Sequence, residues 1–185
     1  MLFYIFYLIV IFLILIFIAL VAIYLVGLIY SSFKGSPYVP TKRKILQNIL
    51  KQAGLRKGQT FIDIGCGDGR VVEEAIVGFK AKGTGIDINP LLIFRANARA
   101  KIKKIDADYR IENIKKLDLV KYNMVYVFLM PEFINKISHQ LKSALLNKST
   151  IVSHGFKVNQ LKKYLKKTIK DKTFPTYIYR ISSKY

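Results

Sequence analysis

Three glycines at alternate positions, Gly65, Gly67 and Gly69, follow the carboxylate of Asp63 in the run Phe61-Ile-Asp-Ile-Gly-Cys-Gly-Asp-Gly-Arg70. With no Cβ at these positions, the backbone can turn sharply and come close to a ligand. A second acid, Asp87, stands 18 positions after Gly69, near the spacing at which a carboxylate accepts ribose hydroxyls in Rossmann-type folds. Dinucleotide sites use G-x-G-x-x-G to seat a pyrophosphate on a helix N-terminus. Here the spacing is G-x-G-x-G, and Asp63 and Asp68 repel phosphate, so the expected ligand is a ribose-bearing cation. No G-K-[ST] follows, which excludes a P-loop. Cys66 is the single cysteine; it cannot form an internal disulfide, and with His139 and His154 it is too sparse for a zinc site, so no metal is expected.

These acids can meet only if two adjacent strands end side by side, and the chain around them alternates as that requires. Thr60 to Ile64 reads as a buried strand. Arg70 to Phe79 reads as a helix with Val71, Val72, Ala75, Ile76 and Phe79 inward, and Gly83 to Ile88 as the next strand. Pro90 opens a helix through about Ala100, and Asp108 to Ile111 is a weaker strand. Tyr122 to Met130 is the most strand-like run, and Pro131 opens a helix with Phe133, Ile134, Ile137, Leu141 and Leu145 on one side. Thr150 to Ser153 and Thr176 to Ser182 are further strands. The spacing of Leu161, Tyr164, Leu165 and Ile169 against five lysines predicts an amphipathic helix over Asn159 to Lys170. Ahead of all these, Thr41 caps a helix to about Ala53, stopped by Gly54. This alternation predicts an α/β, Rossmann-like domain with a mainly parallel sheet and helices on both faces.

The chain has 185 residues and a formal charge of +20, yet its first 33 residues carry no charge. That leader exceeds the ~20 apolar residues that span a bilayer as a helix. It has no basic n-region and no A-x-A cleavage pattern, so it reads as an uncleaved transmembrane anchor over residues 1–33. Gly35, Pro37 and Pro40 make residues 34–41 a linker, and residues 42–185 suffice for one domain. Lys34, Lys42, Arg43 and Lys44 follow the span, so the positive-inside rule places the N-terminus outside and the domain in the cytoplasm. Of the 31 basic residues only 7 are Arg. Specific nucleic-acid sites lean on bidentate Arg, whereas a Lys-rich surface suits anionic lipid. The short linker predicts a tether that keeps the site within roughly 26 to 29 Å of the bilayer.

Asp63 to Gly69 has the D-x-G-x-G-x-G form of the first motif of class I S-adenosylmethionine (SAM)-dependent methyltransferases. The leader, Pro37-Tyr-Val-Pro-Thr41, Gly85-Ile-Asp-Ile-Asn-Pro90, Val125-Tyr-Val-Phe-Leu-Met-Pro131 and Ile151-Val-Ser153 extend that likeness over nearly the whole chain. Together they resemble the membrane-anchored protein-lysine methyltransferases that include the ATP synthase c-subunit and adenine nucleotide translocase enzymes. The resemblance implies SAM as cofactor, with Asp63, Gly65, Gly67 and Gly69 along its methionine part, Asp87 on the ribose and Asn113 by the adenine. Asp87 stands where a Glu is common in the family.

A lysine amine with pKa ~10.4 is protonated near neutral pH and cannot attack a methyl group, so the acceptor site must desolvate it. Tyr38, Met130 and Pro131 are the candidates for that channel, with Phe128 and Leu129 beside them, and no side chain is singled out as a base. The partners implied are a membrane-embedded protein substrate and the membrane itself, without specific nucleic acid. The competing readings are a methyltransferase for RNA or a lipid-soluble small molecule, and an inactive membrane scaffold of the same fold. The F-L-M-P run lacks the N-P-P-[YF] pattern for nucleobase amines, and intact Gly65, Gly67 and Asp87 count against the scaffold.

Overall fold

The structure, a computed structural model, describes residues 2–34, 43–114, 117–171 and 173–181. The apolar leader forms one long helix, α1 (Leu2–Lys34). The rest is a seven-stranded sheet built from β1 (Thr60–Ile64), β2 (Lys82–Asp87), β3 (Asp108–Ile111), β4 (Met124–Val127), β5 (Thr150–His154), β6 (Leu165–Ile169) and β7 (Thr176–Tyr179). The order is β3-β2-β1-β4-β5-β7-β6. The first five strands are mutually parallel, and β7 runs antiparallel to both β5 and β6. The predicted mainly parallel sheet is therefore present, with one strand, β7, reversed between β5 and the edge strand β6.

Alternation along the strands divides the core in two. On one face Ile62, Ile64, Val125, Val127 and Ile151 pack against Ile134, Leu141, Ala144 and Leu145 of α5 (Pro131–Lys136) and α6 (Ser138–Leu146). On the other, Phe61, Met124, Tyr126 and Val152 pack against Leu46, Ile49, Val72, Ala75 and Ile93 of α2 (Arg43–Gln52), α3 (Arg70–Phe79) and α4 (Pro90–Ile102). Strands buried on both faces need helices on both, which is why the central runs read as continuously apolar. Asp63 lies on the second face, two residues beyond Phe61.

Three expectations are corrected. Asn159 to Lys170 is not an amphipathic helix: it forms a 3₁₀ turn (Asn159–Tyr164) and then the edge strand β6. Pairing with β7 satisfies the backbone there, and a bulge between Leu165 and Lys167 admits the helix-like spacing of the apolar residues. Lys166 and Lys167 are exposed, as suits an edge strand that must not pair further. The helix from Pro131 is two helices, because Ile137 leaves helical geometry at φ −108°, ψ 8°. The strand expected over Tyr122 to Met130 is confined to β4. The Thr41 cap lies outside the described residues.

Candidate active site

β1 ends at Ile64, and the chain turns through Gly65, Gly67 and Gly69, all at positive φ (79°, 55° and 81°), into α3. The amides of Gly65 and Cys66 both donate to the Ile86 carbonyl at 2.9 Å, which stitches the glycine loop to β2. A Cβ on Gly65 would lie 2.7 Å from Leu129 Cδ2, and one on Gly69 would lie 2.3 Å from the Tyr109 hydroxyl. The loop is thus pressed between neighbours as well as turned, and both demands exclude a side chain.

Asp87, at the end of β2, accepts the Gly67 amide on Oδ2 at 3.0 Å and the Asn89 amide on Oδ1 at 2.8 Å. Burial pushes its pKa up, while these backbone N–H groups pull it back. Asp68, also buried, accepts from Arg70 Nε at 2.9 Å and Arg99 Nη1 at 3.1 Å. Arg99 reaches on to Glu73 at 2.8 Å, and Lys103 also pairs with Glu73. Asp68 is therefore neutralised by its own chain.

Asp63 is different. It is 2% exposed, and among the described residues no donor or cation faces its carboxylate. Burial pushes its pKa well up, and the nearby Asp87 and Asp68 add to the rise. A carboxylate held this way is short of a positive partner. The ammonium and sulfonium of SAM are such partners, and SAM brings no phosphate for the three acids to repel. The residues present fit this group: Asp63 would meet the cation, and Asp87 keeps lone pairs for ribose hydroxyls.

Asn113, expected by the adenine, lies just past β3 on the same edge and is exposed. Met130 caps α5 and is 41% exposed, with Pro131 following at the first helical position. Both stand at the carboxyl end of β4, one strand from the glycine loop. Tyr38 lies outside the described residues.

Sequence reasoning named Phe128 and Leu129 beside the acceptor but missed Tyr109, Phe174 and the packing of the rings around His154. Tyr109 on β3 donates its hydroxyl to the Gly69 carbonyl at 3.0 Å and lies over Gly85, its register partner on β2. Phe128, His154 and Phe174 meet edge to face, with ring centroids 4.6, 5.2 and 5.9 Å apart, and Tyr126 stacks on His154 at 6.3 Å. Tyr126 is the register partner of Asp63, so this group lies on the same sheet face as that acid, toward β5. His154 Nδ1 is 2.8 Å from Thr176 Oγ1, and burial lowers its pKa to about 4. It is thus neutral near pH 7 and a poor acceptor for a lysine proton. An aromatic beside a glycine-loop motif is a signal in hindsight only, because the strand pairing that juxtaposes them is not local.

The comparisons with known proteins agree with this geometry. Residues 63–164 match the family model described as the ANTKMT methyltransferase domain. A protein-lysine N-methyltransferase of Saccharolobus islandicus is 30% identical over 127 residues, 66% of this chain and 78% of that protein. The human lysine N-methyltransferase named for the ATP synthase c-subunit is 29% identical over 65% of this chain and 52% of its own length, so the chain spans about half of that relative. Among solved structures, an RNA methyltransferase from Salinibacter ruber in complex with S-adenosyl-L-homocysteine superposes with a TM-score of 0.72 at 26% identity, over 80% of this chain and 96% of that one. The match begins at the unpaired acid of β1 and runs through the 3₁₀ turn after β5, and by it the chain belongs to the ANTKMT methyltransferase domain family, as a SAM-dependent methyltransferase.

Proposed function

We propose that this enzyme methylates the ε-amino group of a lysine on a membrane protein. The observation that carries the reading is the aromatic group of Phe128, His154 and Phe174 on the sheet face of Asp63, where an incoming amine loses water. Relatives named as lysine methyltransferases of proteins support the acceptor class.

When bound, SAM supplies an electrophilic methyl group on a sulfonium. The protein's part is to present a neutral amine to it, in line and about 3 to 3.5 Å away. An apolar aromatic wall lowers the amine's pKa, because desolvation disfavours the ammonium form. The proton then leaves to solvent before attack, and His154, neutral and tied to Thr176, stays a wall residue. Asp63 holds the cofactor's positive end, Gly65, Gly67 and Gly69 its methionine part, Asp87 its ribose, and Asn113 lies toward its adenine. Met130 and Pro131 frame the approach along the end of β4, with Tyr38 as a further channel residue.

In the same reading residues 1–33 anchor the enzyme, 34–41 link, and 42–185 catalyse. The span Phe3–Gly27 has mean hydropathy 3.5 and none of it is buried, which suits lipid rather than a protein core. The basic residues after it favour an outside N-terminus and a cytoplasmic domain against anionic lipid. Protease added to intact spheroplasts should then leave the domain uncut.

A second reading, an RNA acceptor, is favoured by the likeness to the Salinibacter ruber enzyme. Membranes incubated with the enzyme and methyl-labelled SAM separate the two. Label in a protein band, recovered as methyl-lysine after acid hydrolysis, is the expected result. Label removed by ribonuclease would overturn it in favour of RNA.

A further inference from the structure

The apolar helix α1 touches the cofactor site. Asn89 follows Asp87 by two residues, is 1% exposed, and donates from Nδ2 to the carbonyl of Gly27 at 3.0 Å. Its Oδ1 accepts the Leu91 amide at 2.9 Å, capping α4, and its own amide donates to Asp87. A Cβ on Gly27 would lie 2.9 Å from Leu91 Cδ1. Gly27 is the one glycine in α1, seven residues before the helix's last residue, Lys34. Glycine inside a helix costs about 1 kcal/mol relative to Ala, and here it lets another element reach the helix backbone.

We infer that α1 is part of the cofactor site: its backbone at Gly27 docks on Asn89 and Leu91 and thereby holds the loop that carries Asp87. The path is continuous. The Gly27 carbonyl fixes the Asn89 side chain, Asn89 fixes one oxygen of Asp87, and the other oxygen holds the Gly67 amide in the glycine loop. Asn89 is a positioning residue, acting on the cofactor through Asp87. The short linker predicts only that the site stays close to the bilayer; this contact places the carboxyl edge of β2 directly against α1 at Gly27. If α1 crosses a bilayer, the cofactor loop lies at the bilayer surface, where a lysine at the end of a membrane helix is within reach. The inference rests on the assignment of the cofactor loop and not on the nature of the acceptor.

The test is SAM affinity of the full-length protein in phosphatidylcholine nanodiscs, measured by calorimetry without any acceptor. Gly27→Leu pushes the helix off Leu91 and alters no group of the cofactor loop. Asn89→Ser keeps a cap for α4 but lacks the amide that reaches α1. Each should weaken SAM binding about fivefold to tenfold, the range of a modest coupling between sites. Because both break one contact, the double variant should bind no more weakly than the weaker single variant. A merely structural role for either residue would not produce that non-additivity. Unchanged affinity in Gly27→Leu, or multiplied effects in the double variant, overturns the inference and leaves α1 a tether. Should Asn89→Ser fail to fold, Gly27→Leu alone decides. Since no acceptor is present, failure of the lysine reading leaves this result untouched.

Discussion

Replacing Asp63 with Asn should make the SAM-free protein more stable and the SAM-bound protein harder to form. The carboxylate is 2% exposed and has no donor among the described residues, so its ionised form carries a desolvation cost with nothing to offset it. An amide of the same shape removes the charge. Relief of an unsatisfied buried group is worth about 1 to 3 kcal/mol. For a domain of this size each kcal/mol raises Tm by roughly 2 to 4 °C. The sign with pH follows from linkage. The ordinary carboxylate value is 3.8 and the folded value lies above it, so between the two the native state binds the extra proton and stability falls as pH rises. The advantage of Asp63→Asn should therefore be small near pH 3.8 and grow as pH rises through the folded value. SAM affinity moves the other way: losing a charge-assisted contact of about 1.5 to 3 kcal/mol weakens it roughly tenfold to 150-fold. Differential scanning fluorimetry across pH, with and without SAM, reads both effects. A variant less stable than wild type without SAM, or equally stabilised by SAM, would refute the assignment of Asp63 as an acid waiting for a cation.

Two further outcomes follow from the same geometry. Gly69→Ala places a Cβ within 2.3 Å of the Tyr109 hydroxyl at φ 81°; the left-handed backbone alone costs about 1 to 2 kcal/mol, so calorimetry should show SAM affinity reduced at least about fivefold, and an unchanged value would mean the loop is not a cofactor cradle. Phe128→Ala removes the ring 4.6 Å from His154 and should lower the labelling rate of the protein acceptor about tenfold or more while SAM affinity stays within twofold; equal labelling would separate the aromatic group from the acceptor.

The strand–loop–helix unit from Thr60 to Phe79 was legible in the sequence because everything that shapes it is local. An apolar run makes a buried strand, three glycines make the turn, and the spacing of Val72 and Ala75 makes the buried face of the helix. Asp87 was legible too, since a fixed strand length after α3 puts it at the same sheet edge, and the Gly67 amide does reach it at 3.0 Å. The apolar character of residues 1–33 was plain from composition alone.

Tertiary structure decided what depends on partners distant in the chain. Residues 159–170 have helical spacing, yet β7 claims Leu165–Ile169 as its antiparallel neighbour, and pairing outweighs weak local propensity. Strand register alone places Tyr109 over Gly85 and aligns Tyr126 with Asp63. Which acid stays unpaired was also beyond sequence: Asp63 and Asp68 look alike along the chain, but α4 brings Arg99 to Asp68 only. Contact between α1 and Asn89 joins residues 62 apart. A carboxylate's partners and a helix's docking point are set by long-range packing, and no local pattern of residue types encodes them.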